Sequence, residues 1–144
     1  MSAVAVDPTS SANENPANTA VVVAEDFRAR LQLRGLLLMH HVQLAGEAET
    51  IRKGLDLVRA TRPTHLLIEL TTDDSACFGL ISEAHAAVPT VKVILIRPAA
   101  QGYSPPTDLT SRPDILLREP YSNLEFAQAV YSSGFEPANT RSAD

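Results

Sequence analysis

Two hydrophobic rhythms alternate along the chain. Short, near-continuous apolar runs, rich in β-branched side chains, come between longer segments whose apolar positions recur every three or four residues. Runs of the first kind suit parallel strands buried on both faces, and the longer segments suit helices with one face on a sheet. The first run is Thr19-Ala20-Val21-Val22-Val23-Ala24, ended by Glu25-Asp26, with Asp26 placed to cap the helix that follows. Phe27, Leu31, Leu38 and the Leu33/Leu36/Leu37 group mark the apolar face of that helix, and Arg28, Arg30 and Arg34 a solvated one. Val42-Gln43-Leu44-Ala45 predicts a short second strand closed by Gly46, and Thr50 caps a helix carrying Ile51, Leu55 and Val58 until Arg62-Pro63 stops it.

The central run is Thr64-His65-Leu66-Leu67-Ile68-Glu69-Leu70, which delivers one carboxylate, Glu69, at its far end. A polar loop over residues 71–76 leads to a third helix with Phe78, Ile81, His85 and Val88, ended by Pro89. Val91-Lys92-Val93-Ile94-Leu95-Ile96 is the fourth strand, finishing at Arg97-Pro98. Residues 99–113 hold Gly102, Pro105, Pro106 and Pro113 and show no helical face, so a helix there is short or absent. Ile115-Leu116-Leu117-Arg118 is the fifth strand, ended by Glu119-Pro120. Ser122 then caps a last helix through Leu124, Phe126, Ala127, Val130 and Tyr131, closed by Gly134. Residues 1–18 read as a disordered leader, 19–134 as the folded domain and 135–144 as a flexible tail.

Strands alternating with helices in this way imply an α/β, doubly wound, five-stranded parallel sheet of flavodoxin-like type with strand order 2-1-3-4-5. Its carboxyl edge gathers Glu25, Asp26, Glu69, Arg97 and Glu119. Composition sharpens this only by exclusion. A chain of 144 residues, 44% hydrophobic, has room for one domain. The net charge of −5 argues against nucleic acid as the main partner. Cys77 is the only cysteine, so no disulfide framework or cysteine-based zinc site is expected, in keeping with a reducing cytoplasm. No apolar run approaches the roughly 20 residues that span a bilayer, and no signal peptide is visible. A soluble, cytoplasmic protein is the simplest expectation.

The constellation resembles the receiver domain of bacterial response regulators, the CheY-like fold, over residues 19 to about 134. The resemblance rests on four pieces: Val21-Val22-Val23-Ala24-Glu25-Asp26-Phe27, Leu44-Ala45-Gly46-Glu47-Ala48, Arg62-Pro63-Thr64-His65-Leu66-Leu67-Ile68-Glu69-Leu70, and Leu116-Leu117-Arg118-Glu119-Pro120-Tyr121-Ser122. It implies that an aspartate at the position of Glu69 would accept a phosphoryl group from a phosphohistidine. The acidic pair Glu25 and Asp26 would help to hold magnesium, and a hydroxyl and a lysine at the positions of Arg97 and Glu119 would bind the phosphate. The aromatic that takes part in the family's switch is replaced by Leu116. Only Glu25 and Asp26 of the functional set are retained.

Those replacements point to a pseudo-receiver. Glu69 carries its carboxylate one methylene further out, and misplacement of about 1 Å costs on the order of 100-fold in rate. Glu119 sets an anion where the phosphate needs a cation. Three readings of Glu69 stay open: a degenerate position held by an arginine, a built-in mimic of the phosphorylated state, and a working acceptor. Arg97 is expected to pair with Glu69 or Asp26 in place of magnesium, with Arg118 as a second cation. No cofactor is expected, and Glu25 with Asp26 would be the residues to hold magnesium if it binds. His40-His41 read as surface or loop residues. Cys77, opening a helix, has no histidine partner identifiable from spacing.

The function expected is that of a stand-alone receiver, not an enzyme, acting in signal transduction by phosphorylation-independent contact with a sensor histidine kinase, another receiver or an effector. A homodimer is also plausible on this reading, and nucleic acid and membrane are not expected partners. Two alternatives remain: a phosphorylatable receiver in a two-component phosphorelay using Glu69 or a nearby acid such as Asp73 or Asp74, and a small-molecule-binding flavodoxin-like domain. The second lacks a glycine-rich phosphate loop after the first strand, where Glu25-Asp26-Phe27-Arg28 stands.

Overall fold

The structure, a computed structural model, describes residues 18–71 and 74–132. The expected leader and tail, the Gly134 stop and Asp73 lie outside the described residues. The apolar runs form five parallel strands: β1 (Thr19–Ala24), β2 (Gln43–Ala48), β3 (His65–Glu69), β4 (Lys92–Pro98) and β5 (Ile115–Glu119). Their order across the sheet is β2-β1-β3-β4-β5. Four α-helices are described: α1 (Phe27–Met39), α2 (Ile51–Thr61), α3 (Asp74–Ala87) and α4 (Asn123–Tyr131).

Alternation along the strands divides the core into two layers. Ala20, Val22, Leu67, Ile94, Ile96 and Leu117 face α1 and α4, where Leu33, Leu37 and Phe126 meet them. Val21, Val23, Leu66, Ile68, Val93 and Leu95 face α2 and α3, packing on Val58, Leu80, Ile81 and Ala84. The central strands are therefore apolar on both faces, which is why they read as unbroken runs. His65 opens β3 on the α4 side, where its Nε2 lies 2.8 Å from the carbonyl of Val130. Burial holds that imidazole below its ordinary pKa.

Between β4 and β5 the expected absence of a full helix is observed: the segment holds only a 3-10 turn, Leu109–Ser111. The caps read from the sequence are also present. Asp26 accepts from Arg28 N at 3.2 Å, Thr50 from Lys53 N at 3.2 Å, and Ser122 with Glu125 closes a capping box at α4.

Several local expectations need correction. β2 does not stop at Gly46 but runs on to Ala48, with Ala45 left out of register between the Ala20–Leu44 and Val21–Gly46 pairs. α3 starts at Asp74, inside the stretch expected to be loop. In α1 only Leu33, Leu36 and Leu37 are buried, whereas Phe27 and Leu38 are 58% and 77% exposed. At about 100° per residue, Phe27, Leu31 and Leu38 form a separate stripe on the far side of the helix from the leucine group. The arginines of α1 are not a uniformly solvated face either. Arg30 donates to the carbonyls of Ala24 at 2.7 Å and Glu25 at 3.1 Å, and it pairs with Glu47 at 3.5 Å.

Candidate functional site

The carboxyl ends of β1, β3 and β5 bring Glu25, Asp26, Glu69 and Glu119 to one edge of the sheet. Glu69 ends β3 beside Ala24, its partner on β1. The strand alternation turns it toward the α1/α4 side, the side of Leu67, and Glu119 has the same parity as Leu117 on β5. Burial drives the Glu69 carboxyl up to about pKa 8, assisted by a hydrogen bond to the Glu119 carboxyl and by repulsion from Glu119 and Asp26. A hydrogen bond between two carboxyl groups requires a proton on one of them. With its carboxyl raised to about 8, Glu69 is mostly protonated at neutral pH.

The residues around the pair fit that state. Tyr121 stacks on Phe126 with ring centroids 5.9 Å apart, and its phenol is pushed above its ordinary pKa by burial and by the charges of Glu69 and Glu119. Glu25 turns away: its Oε1 accepts from Thr71 N at 3.2 Å and from Thr71 Oγ1 at 2.9 Å. Asp26 is engaged with the first turn of α1. Nothing in the sequence separates Thr71 from other loop threonines.

Arg97 is not part of this group, contrary to the expected ion pair with Glu69 or Asp26. The β3–β4 register aligns Ile68 with Leu95, so Glu69 continues level with Ile96, and Arg97 projects from the opposite face. There it is wholly buried, with Nη2 2.6 Å from Asp74 Oδ1 and 3.8 Å from Cys77 Sγ. Its Nε and Nη1 find no hydrogen-bond partner among the described residues. Cys77, expected to open α3, lies three residues past its start and is likewise fully buried. Arg118 Nη1 donates to the carbonyl of Gln101 at 2.5 Å. Leu116 packs on the α2/α3 layer.

This arrangement does not suit magnesium. The ion wants several ionised oxygen donors in near-octahedral geometry, yet one oxygen each of Glu25 and Asp26 is already engaged by the chain. Among the described residues, no group of three or more His, Cys, Asp or Glu side chains is placed to hold a metal. Among the described residues, the hollows at Arg30, Glu47, Ala48, Glu49 and Lys53 (about 250 Å³) and beside His85 and Arg112 (about 150 Å³) fall below the roughly 300–1,000 Å³ usual for small-molecule sites. Among the described residues no helix is long and apolar enough to cross a membrane.

No protein-family model matches the sequence, and none of the curated proteins compared with it is similar. Solved structures do match in shape. A response regulator receiver domain protein from Clostridium thermocellum superimposes with a TM-score of 0.65 at 13% identity, covering 88% of this chain and 97% of that one. A CheY-like receiver domain protein from Methanospirillum hungatei gives 0.65 at 10% identity, covering 78% and 90%. A response regulator from Thermotoga maritima gives 0.62 at 17% identity, covering 81% and 99%. The chain thus has the receiver-domain fold, reached with few of the same residues.

Proposed function

We propose that this chain is a signalling module of receiver fold that acts by protein–protein contact without accepting a phosphoryl group, and that it is not an enzyme. The observation that carries this reading is the placement of Glu69 beside Glu119 at the carboxyl edge, where burial and that neighbouring acid raise the Glu69 carboxyl to about 8. Attack on a phosphoryl group needs an ionised carboxylate, and Glu69 at neutral pH is neutral. The transferred phosphate also needs a cation beside it, but an acid stands at Glu119, and the guanidinium of Arg97 is committed to Asp74 on the other side of the sheet. A neutral Glu69 is equally unsuited to imitate a phosphorylated aspartate, since it carries no charge.

With the pocket inactive, the surface is where such a module would work. Exposed Phe27, Leu31 and Leu38 on α1 are side chains of the kind that protein contacts bury. The partners this reading favours are a sensor histidine kinase, another receiver, an effector or a second copy of the chain. Capture of partners from the native cell on wild-type and Glu69→Gln bait, with and without a small phosphodonor and magnesium, tests it. The same partners are expected under all four conditions. A partner retained only after phosphodonor treatment, and lost with Glu69→Gln, would overturn the reading.

A further inference from the structure

The β4–β5 connection has lost its helix, yet it is held to α3 by the edge-on packing of Tyr103 on Phe78 and by a polar contact further along. His85 reaches from α3 with both ring nitrogens engaged: Nδ1 lies 2.8 Å from the carbonyl oxygen of Thr110, and Nε2 lies 3.1 Å from Asp114 Oδ2. Neither partner has a hydrogen to give. A peptide carbonyl only accepts, and the same Asp114 oxygen already accepts the N–H of Val93 at 2.8 Å. A neutral imidazole donates through one nitrogen and presents a lone pair on the other, so it satisfies one of these contacts and opposes the second. Only the doubly protonated ring makes both.

We propose that His85 is a proton-operated latch that holds the 3-10 turn of the β4–β5 connection against α3 when charged and releases it when neutral. The charged groups that face the ring are Asp114 and, across the hollow it shares with Leu109 and Pro113, Arg112. Lys92 lies beyond Asp114 and helps to keep that carboxyl ionised. On the α2 side of α3, Arg59 is paired with Glu83 at 3.2 Å and Arg62 donates to the carbonyl of Ala87 at 3.1 Å, so neither is directed at His85. The hydrogen bond to Asp114 raises the histidine's pKa, burial opposing it. The contribution to stability is therefore full below the ordinary pKa of about 6.5 and is lost as pH rises through His85's own higher midpoint. On release Asp114 keeps its bond to Val93, and the Thr110 contact is the one to open. This device is independent of whether Glu69 ever accepts a phosphoryl group.

Proton–carbon NMR titration of the histidine rings in the whole chain tests the latch, with His85→Gln used to assign the signal. The expected midpoint is above 6.5. The amides of Val93, of residues 109–112 and of Asp114 should shift at that same midpoint. Amide exchange in residues 109–111, corrected for its intrinsic pH dependence, should quicken several-fold above it and show no such step in His85→Gln. A midpoint at or below 6.5, or a connection whose amides show no transition there, would overturn the proposal. If His85→Gln does not fold, coincidence of the imidazole and amide midpoints in the wild type still decides the matter.

Discussion

Arg97 Nη2 sits 2.6 Å from Asp74 Oδ1, with the arginine side chain wholly buried and the aspartate partly open to solvent. The pair joins the end of β4 to the start of α3 on the α2/α3 side of the sheet. It therefore keeps this guanidinium away from the carboxylate edge, where burial and the neighbouring acids raise the Glu69 carboxyl. Two features that look like one site along the chain are thus two, separated by the thickness of the sheet.

Asp74→Asn should leave Arg97 buried without a counter-charge. Removing one partner of a buried ion pair costs roughly 3–5 kcal/mol, and solvent at Asp74 reduces this to about 2 kcal/mol. Urea denaturation reads the loss as a lowered midpoint with unchanged slope. Adding Arg97→Met to Asp74→Asn should recover much of it, because an apolar side chain of similar length needs no partner there.

The Glu69–Glu119 pair sets the sign of a pH dependence. Glu69 has a folded pKa near 8 against about 4.5 when unfolded. Between those values the folded chain holds a proton that the unfolded chain has released, so stability falls as pH rises across that window. Glu69→Gln keeps a neutral, hydrogen-bonding side chain without the titration. It should match the wild type near pH 4, where both forms of the wild type carry the proton, and exceed it in stability near pH 9. What slope remains in the variant should include the opposing contributions of His85, whose pKa is raised, and His65, whose pKa is lowered. Denaturation midpoints measured across pH in both proteins separate the Glu69 contribution from theirs.

Two helical glycines should respond oppositely to alanine. At Gly54 in α2 an added Cβ would come within 2.5 Å of Val23 Cγ2 in the β1 core, so Gly54→Ala should destabilise by about 1–3 kcal/mol despite alanine's better helix propensity. At Gly35 in α1 a Cβ meets nothing within 4 Å, so Gly35→Ala should stabilise by about 0.5–1 kcal/mol. Thermal unfolding of the two variants checks both signs.

The strands were legible because burial on both faces leaves them few polar residues, and the lack of a full helix between β4 and β5 was legible because Pro105, Pro106 and Pro113 deny it a continuous backbone ladder. The reach of β2 was not, since Gly46-Glu47-Ala48 carries no strand signal and owes its pairing to β1. In α1 two leucine-bearing stripes compete at helical spacing, and only the packing of the sheet decides which is buried. The acidic edge could be read from the strand ends, since those positions follow from topology. Its chemistry could not: whether Arg97 meets Glu69 depends on the register of β3 against β4, and shifting one residue along a strand changes the face. The placement of Glu69 beside Glu119 depends on the same register, across a third strand.

The intact mass of the whole chain after incubation with a small phosphodonor and magnesium bears most directly on the claim that Glu69 is not a phosphoacceptor. The predicted result is an unchanged mass, the same as that of Glu69→Gln treated alongside. A stoichiometric gain of one phosphoryl group in the wild type, absent from Glu69→Gln, would contradict it. A gain that persists in Glu69→Gln and is lost in Asp74→Asn would equally contradict the proposal of phosphorylation-independent action, by moving the acceptor to the start of α3.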